Sequence, residues 1–183
     1  NPSTTKNYYG KMDDLSIWAT GLTQEEIQSY MSTSPTGSES GLVGYWNFNE
    51  GTGTTAYDAT SNDNDGTIYG ATWSTDVPPT SGGNNYSLSF DGVDDYVSVP
   101  YSSQLNSFSD ALSVSVYFKV TGGEGTHRNI ITNGDVAGFA LTVSGANKLT
   151  PHIQHQLGWL AFNGNTTIEL DTWYHAAFVY DSE

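Results

Sequence analysis

Residues 57–67, YDATSNDNDGT, crowd side-chain oxygens into one short loop. Asp58, Asn62, Asp63, Asn64 and Asp65 fall within eight positions, and Gly66 follows, open to backbone angles that other residues avoid. Carboxylates, amide oxygens and loop carbonyls in such a run are the donor set of a hard cation, calcium above all. The spacing is not that of an EF-hand, because Ser61 stands where that pattern begins with Asp. The same residue types also build tight polar turns that hold no ion. A second acidic run, DGVDD, carries Asp91, Asp94 and Asp95, but Asp-Gly is first of all a turn signal.

A different chemistry is written in HIQHQLGW. His152, Gln154 and Gln156 alternate with Ile153, His155 and Leu157, and Trp159 follows. A strand with one polar face beside an aromatic ring can present a sugar-binding surface, by stacking plus hydrogen bonds. An ordinary solvent-facing strand gives the same pattern. The histidines, with His127, lack zinc-site spacing and have no cysteine to complete one. Acids alternating along one strand, as a glycoside hydrolase needs to flank its bond, are absent. So are a Gly-x-Ser-x-Gly elbow and a phosphate-binding glycine loop, and no catalytic role is expected.

The net charge is -15 over 183 residues, with only five Lys and Arg and a pI near 4.2. So acidic a surface repels phosphate backbones and anionic lipid, which disfavours nucleic-acid partners and membrane insertion; it attracts cations and also keeps a secreted protein soluble. No cysteine is present, so a disulfide scaffold and a thiolate metal site are both excluded. No apolar run approaches the length of a membrane span.

The elements that would position these groups are mostly strands. In MDDLSIW, strict alternation puts Leu15 and Ile17 on one face with Asp13, and Asp14, Ser16 and Trp18 on the other. GLTQEEIQSY then carries a helix start: Thr23 as N-cap, Glu26 as its capping-box partner, Leu22 and Ile27 as the hydrophobic staple. STSPTGSESG ends that helix. From residue 42 onward short alternating runs dominate. The clearest is ALSVSVYFKV, where Leu112, Val114, Val116, Phe118 and Val120 point one way. TTIEL and WYHAAFVYD read as strands near the end. Many short strands between Gly and Asn turns predict an all-β, two-sheet antiparallel sandwich with one short helix near residues 23–31.

GLVGYWNFNEGTGTTAYDATSNDNDGTIYGATW, SLSFDGVDDYVSVPYS, LSVSVYFKV and LDTWYHAAFVYD follow one another in an order that resembles the bacterial laminin-G-like, concanavalin A-like jelly-roll family. YYGKMDDLSIWATGLTQEEI resembles that family's ending, yet it comes first here. The resemblance implies calcium held by Asp58, by Asn62 or Asp65, and by Asp13 or Asp14, with Glu50 a weaker addition. It further implies that Trp18, Trp46 and Trp73 pack rather than bind.

Residues 1–35 are therefore expected to be the closing strand and helix of such a module, either permuted or belonging to a preceding repeat. Residues 36–40 are then a linker, and residues 41–183 the main body, lacking its last strands. The expected work is noncatalytic carbohydrate binding or adhesion within a larger extracellular protein, secreted or displayed on the cell surface and stabilised by calcium. Its partners would be a glycan or cell-surface polysaccharide, through His152, Gln154 and Trp159, and neighbouring modules of the same protein. A structural repeat with no sugar site, or the accessory domain of a polysaccharide-degrading enzyme, remain as alternatives.

Overall fold

The computed structural model describes residues 7–79, 85–106, 108, 110–133, 138–155 and 158–182. Its largest sheet is built around β1, Tyr9–Trp18. One flank of β1 pairs antiparallel with β8, Ala111–Val120, which in turn pairs with β13, Trp173–Asp181. The other flank is shared. Tyr9–Met12 pair with β6, Ser87–Asp91, while Leu15–Trp18 pair with β2, Leu42–Trp46. Strand β5, Thr72–Ser74, extends the sheet beyond β6.

The alternation of β8 is realised in full: Leu112, Val114, Val116, Phe118 and Val120 are wholly buried in the main core. Alternation along β1 is not. Between Asp13 and Ser16 the register against β8 slips by one residue, and Asp14 takes a left-handed backbone with φ of 46°. This is a β-bulge, in which one extra residue leaves the ladder and resets which side chains face inward. Met12, Leu15 and Ile17 consequently share the core. Asp13, opposite Tyr117, joins the outer face with Ser16 and Trp18, which corrects the strict-alternation reading. A second irregularity, at Val43 of β2, moves Leu42 to the Tyr45 side.

Helix α1, Gln24–Tyr30, lies over that outer face. Thr23 Oγ1 accepts from Glu26 N at 3.2 Å, and Thr23 N donates to Glu26 Oε2 at 2.8 Å. The box satisfies two otherwise orphaned donors, so seven residues can hold a helix. Leu22 and Ile27 then pack with Trp18, Leu42 and Tyr45 as a second, smaller core. Tyr117 OH donates to Met31 O at 2.6 Å and pins the helix exit to β8.

The opposite layer is split. One sheet runs β12 (Gly158–Ala161), β11 (Leu149–His155), β10 (Phe139–Val143), β9 (Arg128–Asn133). The other comprises β3 (Thr55–Ala56), β4 (Gly66–Tyr69) and β7 (Tyr96–Ser98). Both contribute to one core against the large sheet, through Ile130, Phe139 and Leu141 from the first and Ala56 and Ile68 from the second. TTIEL forms no strand: Thr167 makes one bridge to Lys148, and Ile168 N donates to Asn147 O while its side chain fills the core.

Because β1 is hydrogen-bonded on both flanks, a chain starting at residue 36 should lose its central strand and its second core. Such a chain is expected to lose its cooperative thermal transition and to aggregate through the bared edges of β8 and β6. An unchanged melting curve would contradict this architecture.

Candidate functional site

The residues expected to hold calcium fall into two hydrogen-bonded groups that meet at Tyr45. In the loop, the Asp58 carboxylate is an acceptor hub. Its Oδ1 accepts from Tyr45 N at 3.0 Å and Thr60 N at 2.9 Å. Its Oδ2 accepts from Thr60 Oγ1 at 2.8 Å and Asn64 N at 3.0 Å. A carboxylate has about four lone-pair sites, so these donors occupy it. Asp65 Oδ1 accepts from Asp58 N, and the amides of Asn62 and Asn64 both donate to Val43 O, which fastens the loop to β2. Trp46, buried in the core, donates from Nε1 to Asn64 O at 3.0 Å. Glu50 Oε1 accepts from Tyr57 N.

Asp13 and Asp14 lie at the bulge of β1, buried beneath the segment that follows α1. Asp14 accepts from Tyr45 OH and from Ser34 Oγ, and Asp13 Oδ1 accepts from Asp14 N. Burial first, then the Asp14 charge and hydrogen bond, push the Tyr45 phenol up, so it remains a donor. Asp58 is filled by protein donors, and the two groups meet at Tyr45, whose N donates to Asp58 and whose OH donates to Asp14. Among the described residues, Asp91, Asp94 and Asp95 are the group of three that brings one carboxylate oxygen from each within 4.8 Å of the others.

The residues expected to bind sugar do come together. In the β11–β12 hairpin Gln154 is directly opposite Trp159, and His152 is opposite Ala161. Directly paired residues share a face, so His152, Gln154 and Trp159 form one row on the outer side of the four-stranded sheet. Trp159 is 50% exposed and Gln154 is exposed. His152 Nε2 lies 3.1 Å from Thr142 Oγ1, which fixes the imidazole against β10. Small neighbours, Ala140 and Ala161, flank it. Gln156 and Leu157 lie outside the described residues.

Sequence reasoning missed three polar centres. Asp76, beyond β5, accepts from Lys11 Nζ at 2.6 Å, from Lys119 Nζ at 2.8 Å and from Trp173 Nε1 at 3.0 Å. Lys11 and Lys119 are direct cross-strand partners, so their like charges would repel without it. Partial burial opposes ionisation of Asp76, but hydrogen bonds from Lys11, Lys119 and Trp173 and the Lys11 charge outweigh it and hold the carboxyl well below its usual range. Arg128 is 1% exposed and donates to Gly122 O, Ser144 O and Asn147 Oδ1, with no carboxylate partner among the described residues. On the outer face of β13, His175 Nε2 lies 2.7 Å from Ser115 Oγ and its ring meets Tyr117 edge-on. Burial pulls His175 down to about 4.

Antiparallel layers around one core, a single capped helix and an aromatic row on one outer face define an all-β sandwich module. Residues 90–183, just over half of the chain, match the family described as the Concanavalin A-like lectin/glucanases superfamily, and the chain belongs to it. No curated protein and no solved structure matches the chain. That membership supports a carbohydrate-binding or structural module, and laminin-G-like domains are generally noncatalytic.

Two outcomes follow from these geometries. Asp58→Ala strands four donors in or near the core and should destabilise the fold by about 3 kcal/mol. Because those donors belong to the protein, the loss read from urea denaturation should be the same with calcium and after chelation. For His175, the unfolded chain takes up a proton near pH 6.5 that the folded protein refuses until about pH 4. Stability is therefore lost as pH falls through that window. His175→Gln should flatten the pH dependence of unfolding there and leave it unchanged above pH 7.

Proposed function

We propose that this is a noncatalytic carbohydrate-binding module that holds a glycan against the outer face of its four-stranded sheet. The observation that carries this reading is the half-exposed Trp159 ring directly across from Gln154, with His152 one pleat along. An indole face accepts the apolar side of a sugar ring, while an amide and an imidazole exchange hydrogen bonds with its hydroxyls. The pairing of His152 with Thr142 orients that side chain in advance, which lowers the cost of ordering it on binding.

Adhesion through such a face suits a secreted or surface-displayed protein with further modules beside this one. The acidity of the chain keeps a displayed module soluble. A purely structural role would leave the half-exposed Trp159 ring without a partner, which favours the binding role.

The test is a glycan array followed by titration of any glycan retained. Trp159→Ala should weaken binding on the order of tenfold or more while leaving the melting temperature in place, since the ring is half in solvent. Retention of no glycan, or a variant that binds like the parent, would sink the proposal.

A further inference from the structure

Charge is spread unevenly along this chain. From Gly125 to Ile168, the stretch that contains the four-stranded sheet, the sequence has one acid, Asp135, against Arg128 and Lys148. Every other Asp and Glu of the twenty lies outside that stretch. In a protein of net charge -15, this sheet is close to neutral and slightly cationic. An anionic ligand is repelled by the rest of the molecule and least of all here.

The described ion pairs leave these two cations out, since both belong to Asp76 with Lys11 and Lys119. Arg128 is buried against the turn that joins β10 to β11, where it donates to Ser144 O and Asn147 Oδ1. Its buried Nε has no hydrogen-bond partner, and a guanidinium keeps its charge when buried. Glu124, in a neighbouring loop, acts on it through space without an ion pair. Lys148 ends the same turn. Its Nζ donates to Asn165 O and to Thr167 Oγ1, both at 2.7 Å, which holds the ammonium in place with one N–H to spare. With His127, Ser144, Asn163 and Asn165 it lines a depression of about 510 Å3 that has no carboxylate in its wall.

This depression continues the row of His152, Gln154 and Trp159. Phe162 N donates to Pro151 O and Gly164 N to Leu149 O, so the register of the β11–β12 hairpin runs on past Ala161. Thr150 then stands opposite Asn163, with their side chains bonded at 3.0 Å, and Lys148 stands opposite Asn165. Residues 148, 150, 152 and 154 alternate onto one face. Trp159 with Gln154 forms one end of this strip and Lys148 the other, about 20 Å apart at the rise of a strand. A single sugar cannot reach both ends, whereas a linear oligosaccharide lying along the hairpin can. A neutral chain would cover the Lys148 ammonium without giving it a counter-charge, and an acidic one supplies it.

Resting on the glycan reading above, we infer that the turn around Lys148 is an anion subsite of the same face. The ligand is a linear acidic polysaccharide, stacked on Trp159 and carrying a carboxylate or sulfate ester where it passes Lys148.

The test is a glycan array with neutral, uronate-bearing and sulfated arms, each printed as monosaccharides and as oligosaccharides long enough to span the strip. It is read with the parent chain, Trp159→Ala, Lys148→Gln and Lys148→Arg, and the glycans retained are then titrated. Acidic oligosaccharides are expected to be held above neutral ones and above their own monosaccharides, and the arm retained tells carboxylate from sulfate. Lys148→Gln should weaken that binding on the order of fivefold, while Lys148→Arg should keep it. Added salt should weaken the parent and leave Lys148→Gln nearly unmoved. Retention of neutral glycans alone, lost in Trp159→Ala, would overturn the anion subsite and leave the glycan reading standing. Acidic glycans held as tightly by Lys148→Gln as by the parent would do the same. Retention of no glycan would overturn both, and so would acidic glycans held by Lys148 but indifferent to Trp159→Ala.

Discussion

Everything in the larger sheet hangs on β1 being paired along both edges. Strand β8 covers one edge, and β6 and β2 divide the other between them. Two strands of different origin can share an edge only if the register is adjusted where one gives way to the next. The bulge at Asp14 lies at that changeover, between the β6 half and the β2 half. It turns Leu15 inward, sends Asp13 outward and so creates the second core beneath α1.

Some of the carboxylates of this acidic chain do more than charge its surface. Asp58, Asp14 and Asp76 each accept from donors on separate elements and act as knots between them. Asp58 ties a loop to β2, Asp14 joins β1 to β2 and to the segment after α1, and Asp76 gathers β1, β8 and β13. A hydrogen-bonded carboxylate is a strong acceptor in partly dry surroundings, so a small number of them can order much irregular backbone.

Which features the sequence disclosed follows from how local their causes are. The β8 alternation and the capping box at Thr23 are decided within ten residues, and both stand in the structure as read. The row of His152, Gln154 and Trp159 was legible for the same reason, since Gln154 and Trp159 meet across a short hairpin. The bulge was not, because it answers to partners that lie far along the chain. TTIEL has the composition of a strand, yet the core took Ile168 without giving it a ladder. Asp76 had no signal at all, its donors coming from positions 11, 119 and 173.

The placement of β1 also governs the order in which this protein can fold. Tyr8 OH bonds to Lys119 O across 111 residues of chain, and the β6 partners of β1 come some seventy residues after it. Contacts of such long range require large loops to close before they return any stability, which puts the fold among the slow, high-contact-order topologies. Helix α1, with its own cap and staple, can form early but has no sheet to lie on. Strands β2 and β6 can cover one edge of β1 first, but its other edge stays open until β8 has been synthesised.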